Sequence, residues 1–145
     1  MRLLIQRVSK ASVKVEGECV GKINKGFLVF LGITHEDTKD NVDYLVNKLY
    51  NLRVFEDENE KMNLSIKNIN GEILIVSQFT LYADTSHGNR PSFINAAKPD
   101  EANELYEYFI EKAKQTGLKI EAGIFGADMK VELLNDGPVT ILLEK

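Results

Sequence analysis

Hydrophobic and polar positions alternate with a period of two at the start of the chain. Leu3, Ile5 and Arg7 alternate with Leu4, Gln6 and Val8, which predicts a first strand. Ala11, Val13 and Val15 alternate with Ser12, Lys14 and Glu16, a cleaner second strand with one wet face. Glu16-Gly17-Glu18 reads as a tight hairpin turn into a strand over 19–23, and Asn24-Lys25-Gly26 as a further turn. The run 27–33 is apolar on both faces and predicts a central strand. The period then changes. Val42, Leu45, Val46 and Leu49 fall at i, i+3, i+4 and i+7, one apolar stripe of a helix capped by Asp37 or Thr38. Short strands over 52–55 and 62–66 flank a charged, solvated turn, and Asn70-Gly71 is a hairpin signal.

The stretch after that signal, GEILIVSQFTLYAD from Gly71 to Asp84, is the most informative in the chain. Ile73 to Val76 have the character of a buried strand, and the hydrogen-bonding Ser77, Gln78 and Thr80 follow directly. Phe79, Leu81 and Tyr82 are interleaved with them. Such a strand end is a rigid mount for a polar pocket; on pattern alone a strand whose polar residues satisfy neighbouring backbone is the commoner reading. A polar loop over 85–92 lacks apolar periodicity, and loops on a rigid scaffold carry function. Pro99 opens a second helix that buries Ala102, Leu105, Tyr106, Phe109 and Ala113 and stops at Gly117. A strand over 118–122, a glycine-punctuated connection over 123–129 and strands over 131–134 and 139–143 complete the chain. Between the last two, Asn135-Asp136-Gly137-Pro138 reads as a turn, with a cis bond before Pro138 compatible with its chemistry.

These elements predict a single domain over 1–145 of the α+β class. Its sheet is mostly antiparallel, curling toward a barrel or two packed layers, with two main helices outside. No βαβ rhythm is visible and no glycine-rich phosphate loop follows a strand, which disfavours nucleotide-binding folds.

Composition narrows the function by exclusion. The 145 residues carry 18 basic and 22 acidic side chains, a formal charge of −4. That balance argues against nonspecific coating of nucleic acid, though not against a grip on one end of an RNA. A single cysteine, Cys19, makes no internal bridge and fits a reducing cytoplasm. No apolar run approaches the roughly 20 residues of a membrane span, and MRLLIQRV lacks the features of a signal peptide. Two histidines, His35 and His87, offer no metal-ligand spacing with that cysteine, so neither metal nor cofactor is expected. There is no G-x-S-x-G elbow, and the carboxylates of 56–60 and 101–107 read as solvated faces. Hydroxyls and backbone groups remain as the candidate chemistry. A rigid turn at Gly137-Pro138 would present carbonyl oxygens at fixed positions, suited to a substrate amine.

SQFTLYA at 77–83 together with NDGPVT at 135–140 resembles the D-aminoacyl-tRNA deacylase family. MRLLIQRV, LRVFEDE at 52–58, MNLS at 62–65, RPSF at 90–93 and FGADM at 125–129 extend the resemblance along essentially the whole chain. It implies a cytoplasmic homodimer that hydrolyses the ester between a D-amino acid and the 3′-terminal adenosine of tRNA, without cofactor, DNA or membrane. It implies that a cis Gly137-Pro138 pair reaches into the partner's active site, captures the α-amino group and leaves no room for an L side chain. It also implies removal of glycine from mischarged tRNA. Ser77, Gln78, Phe79 and Thr80 would line the aminoacyl pocket, with backbone N–H groups of Phe79 and Thr80 at the oxyanion. Phe125 and Met129 would contact the terminal adenine, and Arg7 would hold the Gly137-Pro138 turn. Thr80 is the candidate nucleophile by residue type. With no histidine or lysine in the motif to activate it, water attack assisted by the terminal 2′-hydroxyl ranks ahead. A non-catalytic module that binds an RNA 3′ end is the competing reading.

Overall fold

A computed structural model describes all of residues 1–145. Its spine is one strand, β1 (Arg2–Val15), where the alternation suggested two. Leu3 and Ile5 face the helices, whereas Val8, Ala11 and Val13 enter a second cluster on the opposite side of the sheet. The register against the last strand shifts between Gln6 and Val8 and again between Val8 and Lys10. An irregularity of this kind changes which parity faces inward without ending the strand. In the sequence that change of phase looks like a break.

β2 (Glu18–Ile23) pairs with the second half of β1 and β3 (Gly26–Gly32) with the first half, both antiparallel. Helix α1 (Lys39–Asn51) follows, with Thr38 as its cap; the Asn41 side chain accepts the Thr38 N–H at 2.9 Å. β4 (Arg53–Glu56) and β5 (Met62–Ser65) form a small hairpin of their own. β6 (Glu72–Ser77) then runs parallel to β3, and after α2 (Pro99–Lys114) the short β7 (Ile120–Ala122) runs parallel to β6. The main sheet has the order β2-β1-β3-β6-β7, with β8 (Met129–Glu144) on the free side of β1. Gly21 of β2 lies against Leu74 and the Ala122 carbonyl, so the sheet curls into a nearly closed barrel. The α+β class and the two outer helices are as expected.

Three expectations need correction. The chain does contain strand–helix–strand crossovers, β3–α1–β6 and β6–α2–β7. The β4–β5 hairpin and the long polar loop interrupt their rhythm in the sequence. Asn70 has the positive φ of 49° that a turn favours, yet β5 pairs with β4 while β6 pairs with β3 and β7, so no hairpin forms there. The turn chemistry is local; burial of Ile73 to Val76 chooses the partner. Finally, Asn135-Asp136-Gly137-Pro138 does not join two strands. β8 is continuous along β1, with Asn135 opposite Val8 and Thr140 opposite Gln6, and residues 136–139 bulge out beside Arg7.

β3 and β6 are buried on both faces, as their unbroken apolar runs require. Phe27, Val29, Ile73 and Ile75 pack under α1 and α2, against Leu45, Leu49, Tyr106 and Phe109. Leu28, Leu74 and Val76 fill the barrel with Val8, Ala11, Val13 and Ile23. Each such burial is worth about 1.5–3 kcal/mol. On α2, Ile110 is buried where Leu105 was expected and Leu105 is only half-buried. The outer edge of β8 is unpaired and the strand exposes Leu133, Leu134 and Leu142. That is the apolar edge the alternation pattern did not announce.

The parallel register of β3 and β6 depends on Gly26. A Cβ there would lie 1.8 Å from the Glu72 carbonyl oxygen, so the two backbones meet only because position 26 has no side chain. Gly26→Ala is therefore expected to destabilise the fold by about 3 kcal/mol through overpacking. Denaturant unfolding checks it, and an unchanged midpoint would show that the strands can separate at no cost.

Candidate functional site

A cavity of about 640 Å³ opens at the carboxyl ends of β3, β6 and β7. This is where ligands sit on parallel strands in α/β sheets. Leu31 comes from the end of β3 and Ile33 from just beyond it, Val76 and Ser77 from β6, Phe125 from the segment after β7 and Met129 from the start of β8. Twelve of the eighteen lining residues are hydrophobic, so the polar pocket expected at the strand end is an apolar one with polar groups at its rim.

The chain turns sharply at that rim. Gln78 N–H donates to the Leu31 carbonyl at 2.8 Å, the last bond that ties this segment to β3. Phe79–Tyr82 then forms a single 3-10 turn, and Phe79 and Thr80 are exposed while Ser77 and Gln78 are half-buried. A helical turn leaves its first N–H groups without internal partners. The N–H groups of Phe79 and Thr80 bond to no protein acceptor, leaving two adjacent backbone donors free. The Gln78 side-chain amide donates to Thr80 Oγ1. Arg2 pins the turn from below: its Nη1 donates to the Leu81 carbonyl at 2.7 Å and its guanidinium lies 4.5 Å from the Tyr82 ring centre. Burial pushes the Tyr82 phenol up to about 12, so it stays neutral beside that cation.

Aromatic groups wall the cavity. Phe79 meets Phe93 edge to face at 5.0 Å, and Phe125 lies 5.7 Å from the Tyr106 ring. Tyr106 donates to the Gly123 carbonyl at 2.9 Å, and burial holds its phenol well above the ordinary range, so this donor persists at any working pH. It fixes the start of the segment that carries Phe125 and Met129. Sequence reading missed Phe93, Lys98, Pro99 and Ala102, all of which line the cavity. Phe93 returns to Phe79 because Asp84 and Ser92 exchange backbone bonds at 2.8 and 2.9 Å and close the loop between them. Only the RPSF match hinted at it. Neither histidine lines the cavity, nor does Cys19. Ser86 donates to Asp84 at 2.6 Å and contacts His87 at 2.8 Å, a brace within the loop; the side-chain and backbone bonds from Ser86 hold the Asp84 carboxyl below its usual range.

Arg7, Gly137 and Pro138 lie elsewhere and take no part in lining this cavity. Arg7 is 5% exposed; its Nε donates to the Asp136 carbonyl and its Nη1 to the Val54 carbonyl, each at 2.7 Å. A buried guanidinium needs such acceptors to offset lost hydration. Asn135 closes the base of the bulge, accepting the Val139 N–H at 2.8 Å and donating to the Val139 carbonyl at 3.1 Å. The Gly137–Pro138 peptide is cis. Gly137 has φ +149°, and a Cβ there would stand 3.2 Å from Arg7 Nη2 and 2.9 Å from the Val139 nitrogen. Only glycine fits. Gly137 and Pro138 are themselves exposed. The nine candidate residues thus separate: Ser77, Gln78, Phe79, Phe125 and Met129 line the cavity, Thr80 sits next to Phe79 on the 3-10 turn without lining it, and Arg7, Gly137 and Pro138 lie at the bulge.

Comparison with known proteins extends over the whole chain. A sequence profile of the D-Tyr-tRNA(Tyr) deacylase family matches residues 4–144. A D-aminoacyl-tRNA deacylase of Fusobacterium nucleatum is 61% identical over 99% of this chain and 95% of its own length. One of Clostridioides difficile is 58% identical over 99% and 97%. Among solved structures, the c-Myc DNA unwinding element binding protein has a TM-score of 0.94 at 45% identity, covering 100% of this chain and 99% of that one. A structure described as a probable eukaryotic D-amino acid tRNA deacylase has a TM-score of 0.86 at 17% identity, covering 98% and 97%, and shares the fold. With the family profile spanning the sheet, the 3-10 turn and the bulge, the chain belongs to the D-aminoacyl-tRNA deacylase family.

Proposed function

We propose that this protein hydrolyses the ester joining a D-amino acid to the 3′-terminal adenosine of tRNA, releasing the free amino acid and intact tRNA. The observation that carries the reading is the pair of free N–H groups on the 3-10 turn, on Phe79, which lines an apolar, aromatic-walled cavity, and on Thr80 next to it. Water adds to the ester carbonyl carbon, the negative charge grows on the carbonyl oxygen, and fixed donors stabilise it there. A donor of this kind is worth about 10²–10³ in rate. The bond to the 3′ oxygen then breaks and that oxygen takes a proton.

The titratable side chains that line the cavity are Lys98 and Asp128, both exposed, and Asp128 is held by Lys130 at 2.9 Å. The neighbouring 2′-hydroxyl of the substrate is the group placed to assist the attacking water, and Thr80, bonded to Gln78, positions rather than attacks. Phe125 and Met129 supply an apolar wall for the adenine; base–aromatic stacking is worth about 1–3 kcal/mol.

Selectivity for the D form comes from the Gly137-Pro138 bulge of a second subunit. Within one chain the bulge is exposed, rigidly held by Arg7 and Asn135, and absent from the cavity's own lining, which supports a role in trans. The unpaired edge of β8, with Leu133, Leu134 and Leu142 exposed, supports a homodimer through this side of the sheet. Backbone carbonyls at the bulge would accept the α-amino group and crowd out an L side chain. Glycine has no side chain to crowd, so mischarged glycyl-tRNA is a substrate too. The setting is the cytoplasm, where tRNA is used.

Trace amounts of protein offered D-tyrosyl-tRNA and L-tyrosyl-tRNA, without added metal, test the reading. Multiple turnovers on the D ester alone are expected. Tight binding without turnover would make the protein an RNA 3′-end binding module instead. Arg7→Met removes the donors that hold the Asp136 carbonyl, and the D-over-L ratio of kcat/KM is expected to fall by roughly tenfold, about 1.4 kcal/mol. An unchanged ratio would detach the bulge from selectivity. Thr80→Ala is expected to lower kcat about tenfold without abolishing it, the scale of one lost positioning contact. Total loss, together with an acyl-enzyme trapped on the unaltered protein, would restore Thr80 as nucleophile.

A further inference from the structure

The 3-10 turn that carries the free donors sits on a gap in the sheet. Glu144, Arg2 and Gly32 stand directly opposite one another across β8, β1 and β3. Directly opposed residues of antiparallel strands share a face, so these three form one row. Gly32 leaves its place in the row empty and the turn occupies it. A Cβ there would stand 2.9 Å from Leu81 Cβ and 3.2 Å from the Gln78 carbonyl oxygen. Arg2 reaches over the same gap. Its Nη1 donates to the Leu81 carbonyl at 2.7 Å, its Nε to Glu144 at 2.6 Å, and its guanidinium lies 4.5 Å from the Tyr82 ring centre.

Two hydrogen bonds tie the turn to the sheet: the Gln78 N–H to the Leu31 carbonyl at its start, and Arg2 to the Leu81 carbonyl at its end. Around the turn itself the bonds are longer, from the Leu81 N–H to Gln78 at 3.2 Å and from the Ala83 N–H to Thr80 at 3.1 Å. The bond from Arg2 is charge-assisted and partly buried. Its ion pair with Glu144 joins side chains that are 36% and 54% exposed, and such a pair adds little to stability. A guanidinium that spans two acceptors and an aromatic ring is held in one orientation, which a lysine ammonium is not. Arg2 itself lines no part of the cavity.

We infer that Arg2 is a positioning residue for ester hydrolysis, holding the peptide planes of the turn so that the Phe79 and Thr80 N–H groups aim at the developing oxyanion. The inference rests on the deacylase reading and adds to it a residue outside the cavity on which the rate depends. Preorganised donors act only where they already point, so a turn released at one end loses rate and keeps its affinity for the ground state. Gly32 shares the task by leaving room for the turn.

The test compares the unaltered protein with Arg2→Met and Arg2→Lys on D-tyrosyl-tRNA and L-tyrosyl-tRNA. For Arg2→Met, kcat on the D ester is expected to fall roughly tenfold, less than the loss of a whole donor, with KM unchanged. The D-over-L ratio of kcat/KM is expected to hold, in contrast to Arg7→Met. Arg2→Lys keeps the charge without the fork and is expected to recover part of the rate. Two non-hydrolysable analogues separate positioning from folding. One is a phosphonate of D-tyrosyl-adenosine, with tetrahedral oxygens in place of the ester carbonyl; the other is the planar 3′-amide. Arg2→Met is expected to bind the phosphonate roughly tenfold more weakly and the amide as tightly as the unaltered protein does, which also shows that the variant is folded. An unchanged kcat overturns the inference. So does an equal loss of affinity for both analogues, the mark of a merely structural role, and so does a shifted D-over-L ratio. If Arg2→Met does not fold, the same two analogues decide on Arg2→Lys. Should the unaltered protein turn over neither ester, the deacylase reading fails and this inference falls with it. Turnover by the unaltered protein at a rate that Arg2→Met matches overturns the positioning role alone.

Discussion

The antiparallel pairing of β1 with β8 is the constraint on which the rest of the molecule depends. It runs from Arg2 opposite Glu144 to Val15 opposite Met129, so the two ends of the chain form one long ribbon. On its other edge β1 takes β3 along one half and β2 along the other, which is only possible if the strand bends and changes the face it buries midway. The register shifts between Gln6 and Lys10 do this, and the same shifts eject residues 136–139 from β8. Barrel curvature and the bulge are thus one event in the backbone. Arg7 occupies the gap it creates and bonds to both β8 and β4.

The cavity has a separate origin. β3, β6 and β7 run parallel, so their carboxyl ends converge at one end of the sheet. There the chain cannot continue as strand, and the 3-10 turn at Phe79 leaves donors without acceptors. Tyr106, reaching from α2 to Gly123, and Arg2, reaching from β1 to Leu81, stiffen the two sides of the opening. A site whose donors are backbone groups on a braced turn needs no reorganisation when charge develops. It also tolerates an apolar lining, because a low-dielectric wall strengthens the few polar contacts that remain.

Those two constructions divide labour. On the proposed reading, chemistry belongs to the strand ends and discrimination to a bulge that is exposed on its own subunit and stiffened by Asn135 and Arg7. Side-chain acids and bases are missing from the cavity lining apart from Lys98 and Asp128 at its margin. On the proposed reading, a substrate that brings its own hydroxyl relieves the protein of supplying a base.

Much of this was legible in the sequence. Period-two and period-3.6 patterns found the strands and both helices, because burial of one face leaves that imprint residue by residue. Ser77 to Thr80 and Gly137-Pro138 stood out as unusual chemistry at element ends, and the family resemblance rested on those same residues. The partnerships were not legible. Asn70-Gly71 has hairpin chemistry, yet the core sends β6 to β3 and β7. Val8 and Ala11 share a buried face although their spacing breaks the alternation, because the backbone slips between them. Asn135 to Pro138 reads as a turn from its composition, and only the uninterrupted ladder with β1 makes it a bulge. Phe93 and Ala102 join the cavity through loop closure and helix packing, which leave no period in the chain. Local sequence determined which segments are strand, helix and turn, since propensity and burial act over a few residues. Which strands meet, and which side chains therefore share a cavity, was decided by contacts between residues far apart in the chain.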